Sequence, residues 1–319
     1  MTVRPPFDAE LRDVLESLPM APPPVVTRDM IPMLRQAPPL GGTIAGIIGH
    51  RPVTHRTVTI PGYRGDEIEV SVIQRTDHAG RGPGIYFLHA GGLMFGDRFL
   101  GLGQVIDWIE GFDAVCVTVE YRLAPEYPDP YPVEDSYAGL VWTSANAADL
   151  GIDPDRLVVL GSSAGGGVAA GTVLLARDRQ GPAVKGQMLL YPMLDDRDQG
   201  VSVEQFDGVG VWTRGSNATS WTALLGERRG TSDVSIYAAP GRATDLSGLP
   251  PTFVACGSAD LFRDEDIAYA SGLWAAGGDA ELHVWAGGYH TWDTIAPQAE
   301  LTARLNEART HWFVRVLQR

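Results

Sequence analysis

The chain has 319 residues, 44% of them hydrophobic and 20% charged, which is enough to bury a sizeable globular core. Its formal net charge is −14 and no basic block occurs anywhere, which excludes the electrostatic footprint of a nucleic-acid binder. The opening "MTVRPPFDAELRDVL" lacks an apolar signal core and no later stretch reaches eighteen uninterrupted apolar residues, so a soluble, cytoplasmic protein with no membrane partner is expected.

The first forty residues carry Pro5, Pro6, Pro19, Pro22, Pro23, Pro24, Pro32, Pro38 and Pro39, so helices there should be short and the segment reads as an appendage to the core. From "RTVTIPG" and "EIEVSVIQR" onward, two antiparallel strands joined by a Gly-containing turn are predicted, followed by the apolar strand "GIYFLHA". A helix over about 98–110 precedes the strand "DAVCVTVEY". The alternation continues with a helix over about 133–148, strand "RLVVLG", a helix over about 164–179 and strand "GQMLLYP". Apolar strands alternating with helices require a mostly parallel sheet covered on both faces, so the fold class is α/β.

Residues 195–232 break this rhythm and read as an insertion over the sheet. It resumes with strand "PTFVACG", a helix over about 263–276, strand "AELHVWAG" and a terminal helix "AELTARLNEARTHWFVRVL". Cys116 and Cys256 both lie in apolar runs without metal-ligand or CxxC spacing, and buried, reduced thiols are expected.

The stretch "VVLGSSAGGGVAAG" poses the chemical question. G-x-S-x-G fits only Gly161, Ser163 and Gly165, because Leu160 stands where a motif centred on Ser162 needs glycine. Between a strand and a helix, such an elbow presents a strained, reactive serine and turns the N–H of the next residue, Ala164, into the site. A dinucleotide loop fits poorly, since four residues separate the strand from Gly165, and a P-loop would need a lysine that this stretch lacks.

A serine hydroxyl needs a base, and an acid to orient that base. After Ser163 the histidines are His283 in a strand, His311 in the last helix, and His290 in the loop "WAGGYHTW", where a catalytic base belongs. For the acid, Asp260 has a loop position just past a strand, whereas Asp264, Glu265 and Asp266 fall in the first helical turn, which favours acids for its own electrostatic reasons. Upstream, Gly91 and Gly92 in "FLHAGGLMFGD" can bring N–H groups to the same point as Ala164, forming an oxyanion hole.

These residues resemble the hormone-sensitive-lipase-like (family IV) carboxylesterases of the α/β-hydrolase superfamily. "HAGG" at 89–92 is similar to the family's HGGG loop, "YRLAPE" stands intact at 121–126, and "GSSAGG" at 161–166 is similar to its GDSAGG elbow. "DLFRDE" at 260–265 and "GGYH" at 287–290 match its acid and histidine motifs. The stretches "SIYAAPGRATDLSGLPPTF" and "AAGTVLLARD" resemble its heroin-esterase and acetylesterase members. The resemblance runs from about residue 50 to the end.

It implies hydrolysis of short-acyl esters without metal or organic cofactor, and a helical cap over an α/β-hydrolase body. The cap would comprise residues 1–50 and 195–232, the body 51–194 and 233–319. Leu93 and Trp212 are candidate pocket residues, Arg122 and Glu126 would brace the loop beneath the site, and a homodimer is compatible with the resemblance. Ala90, Ser162 and Leu261 depart from the family pattern, replacing a glycine, an aspartate and a proline. Other readings on the same fold are an amidase or transacylase sharing the triad, and a ligand receptor, against which His290 argues.

Overall fold

The computed structural model describes residues 3–37 and 42–319, so Pro38 and Pro39 lie outside the described residues. The N-terminal segment forms helices α1 (Ala9–Glu16), α2 (Ile31–Gln36) and α3 (Ile44–Ile48). The sheet then begins with β1 (Val53–Pro61) and β2 (Glu67–Arg75), followed by β3 (Gly82–Leu88), α4 (Gly103–Phe112) and β4 (Val115–Val119). Next come α5 (Tyr131–Ala145), α6 (Ala147–Leu150), β5 (Ile152–Ser162), α7 (Ala164–Asp178) and β6 (Gly186–Leu190). After α8 (Val201–Gln205) and α9 (Arg214–Leu225), the chain closes with β7 (Thr252–Gly257), α10 (Arg263–Ala275), β8 (Ala280–Trp285), α11 (Trp292–Ile295) and α12 (Glu300–Leu317).

The eight strands form one sheet in the order β1-β2-β4-β3-β5-β6-β7-β8. β1, β2 and β4 pair antiparallel, and every pairing from β4 through β8 is parallel. The apolar runs are continuous because successive side chains serve two cores. Tyr86, Leu88 and Val159 face one cluster with Leu140, Val168 and Leu273, while Ile85, Phe87 and Val158 face another with Ile109, Trp312 and Phe313.

Two expectations change. α4 begins at Gly103 rather than near 98, because the chain first passes through turns with Gly101 at φ +88°, a conformation that a helix cannot include. The proline-rich start is not peripheral: Leu11, Val26 and Ile31 are buried, and the segment contributes to both cores. Proline shortened its helices without removing their apolar anchors. Both cysteines are buried and unpaired, as expected, and burial pushes both thiols up.

Candidate active site

The loops after β3, β5, β7 and β8 meet at the carboxyl edge of the sheet, the side on which open α/β sheets bind ligands. Ser163 sits alone between β5 and α7 at φ 55° and ψ −124°, a strained backbone for a residue with a side chain. The strain is held from several sides: Ser163 N–H donates to the Leu190 carbonyl at 2.9 Å, and its own carbonyl accepts from Met193 N–H at 2.9 Å. Gly165 must be glycine, because a Cβ there would run into the carbonyl oxygens of Leu88 and His89.

The tight elbow aims the Ser163 hydroxyl at His290, with 2.8 Å between Oγ and Nε2. The other ring nitrogen, Nδ1, lies 2.9 Å from Asp260 Oδ2. All three side chains are buried, and the histidine ring is held by the edges of Tyr191 and Phe262 at 5.1 and 5.0 Å. Ser162 ends β5, and a Cβ on Gly101 would lie 3.7 Å from its Oγ. Ser163 alone of the pair bonds the histidine.

Asp260 Oδ1 accepts from Phe262 N–H at 3.0 Å, and the Leu261 carbonyl accepts from the Ser202 hydroxyl at 2.7 Å. These two bonds hold the turn that a proline would otherwise stiffen. In the loop after β3, Gly91 and Gly92 have φ of +125° and +57°, whereas Ala90 is not among the positive-φ residues and carries its methyl without backbone strain. Tyr121 stacks on the His89 ring at 4.2 Å and donates to the His89 carbonyl at 2.6 Å, fixing the start of this loop. Ala164 opens α7, so its N–H stands at the free, electropositive helix end.

The α/β-hydrolase fold family model matches residues 85–294, which include every one of these groups. The chain belongs to this family. It is similar to the esterase LipI of Mycobacterium tuberculosis, 35% identical over 208 residues that cover 63% of this chain and 62% of LipI. The matched stretch thus spans less than two thirds of that relative's own length. A solved bacterial heroin esterase is 38% identical with a TM-score of 0.87, covering 98% of both chains. Brefeldin A esterase, a bacterial homologue of human hormone-sensitive lipase, is 26% identical with a TM-score of 0.81, covering 98% of this chain and 94% of that one. These likenesses agree with the hormone-sensitive-lipase-like resemblance of the motifs.

Beside Ala164 the hydrolase has a narrow cavity whose lining includes Leu93, Val168, Met193, Trp221 and Leu224. Its free volume of about 10 Å³ is room for roughly one water-sized group. Leu93 thus lines a cavity; Trp212 packs against Gly92, with its ring centroid 6.5 Å from that of His290. Of the histidines not chosen, His283 pairs with Glu281 on β8 and His311 is exposed.

Arg122 grips the buried Asp135 with two bonds of 2.8 Å and also donates to the Tyr63 carbonyl, bracing the loop after β4. Glu126 binds Arg35 at 2.8 Å. The acids on α10 are more than solvated helix ends. Glu265 accepts from Leu194 N–H at 2.7 Å, and burial pushes both Glu265 and Asp266 well above the usual carboxylate range.

Sequence reasoning missed Tyr191, Asp293 and Arg309. Tyr191 donates to Asp293 at 2.6 Å, and Arg309 lies 3.7 Å from the other oxygen of that carboxylate. No local motif marks this buried group, which joins β6, α11 and α12 behind the histidine loop. Among the described residues, no helix is long and apolar enough to cross a membrane.

Proposed function

We propose that this α/β hydrolase is a serine carboxylesterase acting on short-acyl esters through Ser163, His290 and Asp260. The carrying observation is the unbroken line from the Ser163 hydroxyl through both nitrogens of His290 to Asp260. Ser163 Oγ attacks the ester carbonyl as His290 Nε2 takes its proton. The tetrahedral oxyanion is bound by the N–H groups of Gly91, Gly92 and Ala164. Collapse expels the alcohol, which receives the proton from His290, and leaves an acyl-serine. Water, activated by the same imidazole, then releases the acid and restores the serine.

The narrow cavity beside Ala164 supports a preference for the shortest acyl groups, and Leu93, which lines it, and Trp212, which packs on Gly92, would bound the substrate. Residues 1–50 and 195–232 serve as the cap. A cytoplasmic location is in keeping with two buried, unpaired thiols, and a homodimer is carried over from the resemblance alone.

Ser163→Ala should lower kcat on p-nitrophenyl acetate by several orders of magnitude, on the order of 10⁶ for loss of a triad nucleophile. In the parent, kcat/KM should fall steadily from acetate to palmitate esters. Near-parental turnover by the variant would overturn the nucleophile assignment, and a preference for palmitate would overturn the acyl-chain assignment.

A further inference from the structure

We propose that Arg35, on the N-terminal segment, is a positioning residue for the oxyanion loop, clamping it against the turn after β4. The inference rests on the esterase reading above, in which Gly91 and Gly92 bind the developing negative charge.

The Arg35 side chain reaches across the fold to three acceptors. Its Nε donates to the Met94 carbonyl at 2.7 Å, and one terminal nitrogen donates to the Ala124 carbonyl and to Glu126 Oε2, both at 2.8 Å. These partners lie 59, 89 and 91 residues away, so no local rule of helix α2 produces the arrangement. A planar guanidinium can serve two carbonyls and a carboxylate at once, whereas a lysine ammonium presents a point charge without that fork.

The loop explains why such a clamp matters. Met94 and Phe95 both donate N–H bonds of 3.0 Å to the Gly91 carbonyl. That carbonyl shares its peptide plane with the Gly92 N–H, so the position of Met94 sets the direction in which Gly92 donates. Between them, Leu93 is held at φ +61°, a strained backbone for a branched side chain. Ala124 N–H ties the Leu93 carbonyl at 2.9 Å, and Arg35 ties Met94 and Ala124 together from the other side. A strained loop stays in place only when its surroundings over-determine it, and here one of the determinants comes from outside the α/β body.

The same segment also touches the base. Asp8 N–H donates to the Gly287 carbonyl at 3.0 Å, and Phe7 packs edge-on to Tyr289 at 5.5 Å, next to His290. The guanidinium is about a third exposed, so its bonds should add little to global stability; their effect is geometric.

The test compares Arg35→Ala and Arg35→Lys with the parent, using p-nitrophenyl acetate and a trifluoromethyl ketone that forms a tetrahedral oxyanion on the serine. Arg35→Ala should lower kcat by roughly 10- to 100-fold, in the range of a misplaced rather than deleted oxyanion donor, with KM within about threefold. Its affinity for the ketone should fall by the same factor as kcat/KM. Free guanidinium at millimolar concentration should restore part of the rate, where equal sodium chloride does not. Arg35→Lys should lie between the two and covers the case in which the alanine variant does not fold.

Unchanged kcat in a folded Arg35→Ala, or a rate loss with unchanged ketone affinity, would overturn the assignment. Ser163→Ala run beside it keeps the two readings apart. If that control stays active, the esterase reading itself fails; if it is dead and Arg35→Ala is fully active, only the clamp fails.

Discussion

Asp260 divides its two oxygens between two tasks, and an isosteric amide can serve only one of them well. Oδ1 accepts from Phe262 N–H, so an asparagine would keep its oxygen there and turn its NH₂ toward His290 Nδ1. That nitrogen would then have to accept, forcing the ring proton onto Nε2, where it can no longer take the serine proton. Asp260→Asn is therefore expected to lower kcat by on the order of 10⁴ while leaving the melting temperature close to parental. Activity within tenfold of parent would show that the carboxylate does not fix the tautomer. The same residue-scale view accounts for the tolerated departures: the Ala90 methyl meets no positive φ, and Leu261 sits in a turn held by hydrogen bonds instead of a proline ring.

The elements that carry the histidine depend on a charged group buried away from solvent. Arg309 projects from α12 toward Asp293 of α11, both side chains under a tenth exposed, and Tyr191 at the end of β6 completes the link. Burying such a pair brings little net stability, but removing the guanidinium takes away one of the groups that offset the Asp293 charge while the Tyr191 bond remains. Arg309→Met should accordingly cost about 1–3 kcal/mol in urea unfolding, since Asp293 keeps its Tyr191 bond but loses the nearby guanidinium charge. A loss below about 1 kcal/mol would mean that the pair is solvated or replaceable.

This network also marks where reading the sequence stops. The strands and the loop positions of Ser163, Asp260 and His290 were legible, because apolar runs declare buried strands and the candidate site sits just past their ends. Tyr191, Asp293, Arg309 and Arg35 were not. Each acts through a partner on another element, and one-dimensional patterns record periodicity and local turns rather than pairings across the fold. The N-terminal segment was misread for a related reason: Pro32 interrupts the pattern around Ile31, and the eight-residue helix that carries Leu11 is too short to announce which core its apolar face meets.

At the scale of the whole molecule, an acidic chain of net charge −14 buries two adjacent carboxyls on α10, and these contribute to how its stability responds to pH. Asp266 is fully buried; burial, followed by the nearby charges of Glu265 and Asp260, pushes its carboxyl well above the usual range. The folded chain therefore holds a proton at Asp266 that the unfolded chain releases near pH 4. Between that value and the raised folded one, the native state binds more protons than the unfolded state, so stability falls as pH rises. Asp266→Asn keeps the shape and removes the ionisation. Its melting temperature relative to the parent should be lowest near pH 4 and should rise as pH is raised above it, the rise ending once the folded carboxyl itself ionises. A difference that stays flat as pH rises from 4 would show that burial does not raise the Asp266 carboxyl.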